Sequence, residues 1–204
     1  MRPVIRYLSH DEITRLLNAC QGVFRDFVHA ALLTGCRYGE LCRFKVIDYN
    51  CDVGTLTIRE AKSGRVRHVT LTGEALELIE RLTAGRTPGD ALLTREDGRA
   101  WKRAQQLRRM REACRRAAIE PAVGFHVLRH THASILAMQA VPMAVIARQL
   151  GHSDTRMTER HYAHLAPNYV ADTIRASFPR LIETQAQTVV PIERARRNRR
   201  QARL

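Results

Sequence analysis

One short segment departs from an otherwise helical pattern, and it decides the class of fold this chain can adopt. Across residues 53–71, "VGTLTIREAKSGRVRHVTL", β-branched residues alternate on both sides of a Ser63-Gly64 pair. Alternation at period two around a glycine-containing turn predicts a β-hairpin. Only this part reads as β. "SHDEITRLLNAC" opens a helix with a capping box, Ser9 as N-cap and Glu12 reaching back, and Ile13, Leu16 and Leu17 supply one apolar face. A second helix runs through Phe24, Phe27, Val28, Ala31 and Leu32 and breaks at Gly35, a permissive joint. The same periodicity predicts helices over 72–84, 101–118, 125–140 and 142–150, and two more over about 154–164 and 168–178. The expected class is α+β, mainly helical, with a small β-hairpin or sheet. No internal repeat is visible.

The chain has 204 residues, 45% of them hydrophobic, which is enough to bury a core in one large or two small domains and excludes a disordered tail. Its formal charge of +14 calls for an anionic partner. For a folded soluble chain the foremost polyanion is nucleic acid, with an anionic membrane the weaker option. No window is apolar enough for a transmembrane helix, and "MRPVIRYLSHDE" lacks the core of a signal peptide, so the chain reads as intracellular. The five cysteines, Cys20, Cys36, Cys42, Cys51 and Cys114, are odd in number and form no CxxC pair. They read as reduced packing residues. Beyond Pro179 the periodicity fades, and residues 191–204 carry six arginines against one glutamate. A like-charge block of this kind reads as a solvated end before it reads as a specific contact.

The segment "GFHVLRHTHAS" concentrates the chemistry. On a helix, His126, Arg129 and His130 fall at i, i+3 and i+4 and leave from one face. Metal binding is one reading, but the metalloprotease pattern needs a glutamate directly after the first histidine, where Val127 stands, and an arginine on the same face repels a dication. A buried histidine satisfied by a backbone carbonyl is the second, and is the expectation for His130 and His132. The third is an oxyanion site in which Arg129 forks onto two phosphate oxygens while His126 donates a hydrogen bond or moves a proton. That reading needs partners elsewhere, and the chain has them. Arg37 sits at a glycine turn with Glu40 one helical turn on, a carboxylate able to orient a guanidinium; His152 follows Gly151; Tyr162 lies in "TERHYAH". Lys62 stands at the hairpin tip, in a chain whose other lysines are Lys45 and Lys102, and an ammonium can give up a proton where a guanidinium cannot. The arginines of "WKRAQQLRRMREACRR" go around their helix and read as a phosphate-facing or solvated surface.

In this order, "TGCRYGEL", the hairpin lysine, "HVLRHTHAS", "LGHS" and the tyrosine of "HYAHL" resemble the catalytic domain of the tyrosine recombinases, the phage integrase family, over about residues 8–174. Each fragment alone is weak; the five in sequence are specific. The resemblance implies that Arg37, Lys62, His126, Arg129 and His152 activate a DNA phosphate, that Glu40 supports them, and that Tyr162 is the nucleophile. It implies strand cleavage and rejoining through a 3′-phosphotyrosyl intermediate, with double-stranded DNA as partner, self-association in a tetrameric synapse, and neither cofactor nor metal. The implied setting is the cytoplasm of a prokaryotic cell, with the chain encoded by the cell, a phage or a mobile element. Residues 1–180 would be the catalytic domain and 181–204 a basic tail, disordered or exchanged between protomers. Family members carry a helical core-binding domain ahead of this point, whereas this chain starts almost at the catalytic part, implying a fragment or a short form. The competing readings are relaxation of DNA by a type IB topoisomerase and a non-catalytic DNA-binding regulator.

Overall fold

A computed structural model describes residues 5–59, 66–102 and 104–165, together with Arg175 and Pro179. The hairpin turn with Lys62, the expected helix over 168–178 apart from Arg175, and the basic tail lie outside the described residues. The chain divides into two units, Met1–Pro167 and Asn168–Leu204, and every element named below belongs to the first.

The helices follow from their caps and apolar spacing. α1 (His10–Ala19) starts at the capping box, with the Ser9 amide donating to Glu12 Oε2 at 2.9 Å and the Glu12 amide to Ser9 Oγ at 3.2 Å. α2 (Gly22–Thr34) buries Phe24, Phe27, Val28, Ala30, Ala31 and Leu32. Apolar on most sides, it can only be a central helix, and it packs against α6 and α4, while α1 packs on α5. A single turn, α3 (Tyr38–Leu41), follows Gly35. β1 (Tyr49–Asn50), β2 (Thr55–Ile58) and β3 (Arg67–Thr70) form an antiparallel sheet in that order, with Leu56 opposite both Tyr49 and Val69. The hairpin was foreseen; the first strand, two residues long, carries no alternation to read. α4 (Gly73–Thr83), α5 (Gln106–Arg116), α6 (Phe125–Met138), α7 (Met143–Leu150) and α8 (Thr155–Tyr162) complete the unit, and α8 runs on into a 3-10 turn over Ala163–Leu165.

One expected helix begins late. The periodicity of 101–118 predicts a start at Trp101, but α5 begins at Gln106. Trp101 is instead a core plug: its ring lies 5.6 Å from that of Phe24 and 5.1 Å from that of Phe27, and Nε1 donates to the Thr94 carbonyl at 3.1 Å. Arg109 from α5 covers the same ring at 5.2 Å and pairs with Glu96, while Arg115 pairs with Glu112. Part of that arginine-rich surface is therefore tied into the fold.

The core has two parts. The larger gathers α2, the sheet, α4, α5 and the first half of α6. The smaller consists of Ala133, Ala137, Ile146, Leu150 and Tyr162. α6 belongs to both, so its first two turns form the joint between them.

Candidate active site

Two helices end at glycines that only glycine can occupy. Gly35, C-cap of α2, has φ +63°, and a Cβ there would sit 2.6 Å from His132 Cδ2. Gly151, C-cap of α7, has φ +68°, and a Cβ there would sit 2.4 Å from Arg67 Nε. The left-handed conformation satisfies part of the carbonyl deficit at each helix end but not all of it. Arg129, on α6, supplies the rest: Nη1 donates to the Gly35 carbonyl at 2.8 Å and Nη2 to the Leu150 carbonyl at 2.7 Å. One guanidinium thus closes two helix C-termini, where a cation is also favoured by the helix dipoles. The chain leaving each of those ends carries a site residue: Arg37 follows α2, and His152 follows α7.

Arg37 is the N-cap of α3, and Glu40 lies within it. Glu40 is 4% exposed, and its carboxylate accepts from the Arg37 amide at 2.7 Å, from Arg37 Nη1 at 3.0 Å and from Arg67 Nη2 at 2.8 Å. Arg67, on β3, also donates through Nη1 to the Gln149 carbonyl at 2.5 Å, so it ties the sheet to the end of α7. Arg37 keeps 40% of its side chain in solvent. Its remaining donors are available to an anion. Arg129 is the opposite case, 4% exposed, with burial and the charge of Arg37 lowering it to about 10. It is still charged at neutral pH. The sequence-based expectation that it forks outward onto two phosphate oxygens needs correcting for this arrangement, because each terminal nitrogen already serves a carbonyl; its hydrogens not so engaged and its charge are what it offers an anion.

His126 is exposed on the outer face of α6, its ring 4.4 Å from that of His130 and nearly perpendicular to it. His152 turns Nδ1 to Thr158 Oγ1 at 2.8 Å. Burial first, then the charges of Arg129 and Arg37, hold His126 below its ordinary value, and the same influences bring His152 down to about 4. His132 meets the expectation of a structural histidine, its Nδ1 donating to the Leu32 carbonyl at 2.9 Å. His130 does not. Its Nδ1 lies 2.5 Å from Tyr162 Oη, and burial followed by His126, His161 and Arg129 lowers it to about 4. Tyr162, 1% exposed at the end of α8, is raised to about 12 by burial. It is a buried phenol.

The structure therefore brings Arg37, Glu40, Arg129, His126, His152 and Tyr162 around the first turns of α6. Lys62 lies outside the described residues. Sequence reasoning missed Arg67 and Thr158 and misread His130. The one available signal was that His130 shares a helix face with His126 and Arg129. Among the described residues no group of three or more His, Cys, Asp or Glu side chains could hold a metal ion, and no helix is long and apolar enough to cross a membrane.

The chain that carries this arrangement, a cationic pair with imidazoles beside a tyrosine, is similar to known proteins. The profile of the phage integrase family matches residues 6–168. The integrase of Salmonella phage P22 is 30% identical over 182 residues, covering 84% of this chain and 46% of that protein. Tyrosine recombinase XerA of Pyrococcus furiosus is 30% identical over 170 residues, 76% of this chain and 58% of its own length. The crystal structure of a XerA recombinase superposes with a TM-score of 0.69 at 26% identity over 87% of this chain and 67% of that one. The catalytic domain of bacteriophage HP1 integrase superposes with a TM-score of 0.65 at 27% identity, covering 85% of this chain and 95% of that domain. This chain spans about half the length of the phage integrases it matches. With four-fifths of its residues inside the family profile and the fold of a tyrosine recombinase catalytic domain, the chain belongs to the phage integrase family.

Proposed function

We propose that this chain is the catalytic part of a site-specific DNA recombinase that cleaves and rejoins duplex DNA through a 3′-phosphotyrosyl intermediate. Tyr162 Oη attacks a backbone phosphorus and the bond to the 5′-oxygen breaks. Arg37 and Arg129 stabilise the charge that develops on the non-bridging oxygens, Glu40 holds Arg37, and His126 and His152 donate hydrogen bonds to the same oxygens. Lys62 protonates the leaving 5′-oxygen. Attack by the 5′-hydroxyl of another strand reverses the step, and the tyrosyl linkage conserves the phosphodiester energy in between. The observation that carries this reading is the meeting of the Tyr162 hydroxyl with the turn of α6 that bears Arg129, while Arg129 itself holds the segments bearing Arg37 and His152. The names of the relatives, integrase and tyrosine recombinase, agree with it.

Residues 1–180 are read as the catalytic domain and 181–204 as a basic tail that adds sequence-independent attraction to phosphates. Assembly of four protomers on two DNA sites, in the cytoplasm of a prokaryotic host, completes the proposal. Covalent capture tests it: the chain is incubated with a randomised pool of nicked duplexes whose short 5′-hydroxyl fragment diffuses away after cleavage, and adducts that resist denaturant are recovered. The expected result is an enriched duplex sequence which, placed twice in a supercoiled plasmid, yields recombinant products. Absence of any adduct would overturn the proposal, and relaxed plasmid without recombinants would favour a topoisomerase.

A further inference from the structure

A phenol must lose its proton to become a nucleophile, and the chemistry above leaves open where that proton goes. Tyr162 is 1% exposed, so bulk solvent has little access to its hydroxyl. His152, one of the two imidazoles named for phosphate, has Nδ1 committed to Thr158 Oγ1 at 2.8 Å. The phenol oxygen lies 2.5 Å from His130 Nδ1, in direct hydrogen-bond contact, as proton transfer to a general base requires. The phenol donates this bond in the tautomer whose imidazole hydrogen sits on Nε2, which leaves Nδ1 as the acceptor. In that tautomer His130 is oriented to accept the phenol proton.

The groups facing it are His126 and Arg129 on its own helix and His161 and Tyr162 on α8, with ring centroids at 4.4 Å for His126, 6.3 Å for His161 and 5.9 Å for Tyr162. Burial first, and then the positive charge around it, keep His130 a weak base. A phosphodiester held by Arg37 and Arg129 offsets that charge and makes the imidazole more basic at the moment a base is needed.

We propose that His130 is a catalytic residue, the proton acceptor for Tyr162. This rests on the reading of Tyr162 as the nucleophile. As the Oη–P bond forms and the P–O5′ bond breaks, the hydroxyl proton moves to Nδ1 and His130 becomes imidazolium, while the 5′-oxygen takes its proton from Lys62. In rejoining, the 5′-hydroxyl returns its proton to Lys62 and attacks phosphorus, the P–Oη bond breaks, and Nδ1 gives the proton back to the phenolate.

The test uses the full chain and the duplex recovered by covalent capture, with single-turnover adduct formation as the rate and fluorescence anisotropy as the binding control. His130→Ala and His130→Gln should both lose on the order of a hundredfold or more in rate, with duplex binding unchanged. The glutamine keeps a carbonyl able to accept the phenol hydrogen bond but cannot take the proton, so it separates transfer from positioning and maintains packing. Substituted imidazoles added to His130→Ala should restore the rate in proportion to their basicity, a dependence that mere filling of space would not show. A rate for His130→Gln within severalfold of the parent, or rescue indifferent to basicity, would overturn the assignment. An adduct that persists in Tyr162→Phe would instead remove the nucleophile reading on which the assignment stands.

Discussion

Replacing Arg67 by methionine should be the most costly single change near the site that touches none of the groups proposed to do chemistry. Arg67 donates to Glu40 Oε2 at 2.8 Å and to the Gln149 carbonyl at 2.5 Å, with side-chain exposures of 11% for Arg67 and 3% for Glu40. Breaking a buried ion pair by removing one partner costs about 3–5 kcal/mol. Glu40 keeps Arg37, bound through both its amide and Nη1, so the loss should fall toward about 2–3 kcal/mol, and the deserted Gln149 carbonyl adds about 1 kcal/mol. The total of about 3–4 kcal/mol corresponds to about 6–16 °C in melting temperature for a chain of this size. Urea titration of Arg67→Met, Glu40→Gln and the double variant would measure it, with a coupling energy of about 1.5–3 kcal/mol expected from the cycle. Because Glu40 also orients Arg37, adduct formation should slow in Arg67→Met even where the protein is fully folded. A cost below about 1 kcal/mol, or effects that simply add, would refute the claim that Arg67 and Glu40 form one unit.

Gly151→Ala places a Cβ 2.4 Å from Arg67 Nε at φ +68°; the left-handed backbone alone costs about 1–2 kcal/mol, and the displaced arginine should carry the loss, measured by urea melts, beyond that of an alanine at the more open Gly85. Thr158→Val leaves His152 Nδ1 without its 2.8 Å partner, so adduct formation should slow and Thr158→Ser should restore it, whereas a purely structural role would leave the rate unmoved in folded protein. Acid should destabilise the chain: His130 and His152 lie at about 4 when folded against an ordinary 6.5, so the unfolded chain binds more protons across that window and stability falls as pH drops from about 6.5 to about 4. Urea melts across that range should show a shallower fall in His130→Gln than in the parent.

Local spacing made much of this molecule legible. Arg37 and Glu40 stand three apart on one helical turn, and the sequence alone places the carboxylate beside the guanidinium. His126, Arg129 and His130 share a face for the same reason. What spacing could not show was which groups from distant segments meet that face. His130 reads as a carbonyl-satisfied histidine because its partner, Tyr162, lies on α8 and reaches it only through the packing of α7 and α8 under α6. Arg67 reads as one strand arginine among several, since Glu40 and Gln149 join it from separate elements. The glycine breaks at Gly35 and Gly151 were visible as helix ends. Their steric purpose, room for His132 and Arg67, was not. Trp101 reads as helical by pattern, but burial of the indole outweighs local periodicity, and the chain there follows the ring into the core.

In the proposed reaction the phenol of Tyr162 becomes covalently joined to the 3′ side of a DNA break. Mass spectrometry of the captured adduct, after nuclease and protease digestion, tests it most directly. The expected result is a nucleotide remnant linked through its 3′-phosphate to the peptide containing Tyr162, a free 5′-hydroxyl on the released strand, and loss of the adduct in Tyr162→Phe with duplex binding retained. A remnant on another residue, such as Tyr169, or a linkage through a 5′-phosphate, would contradict it.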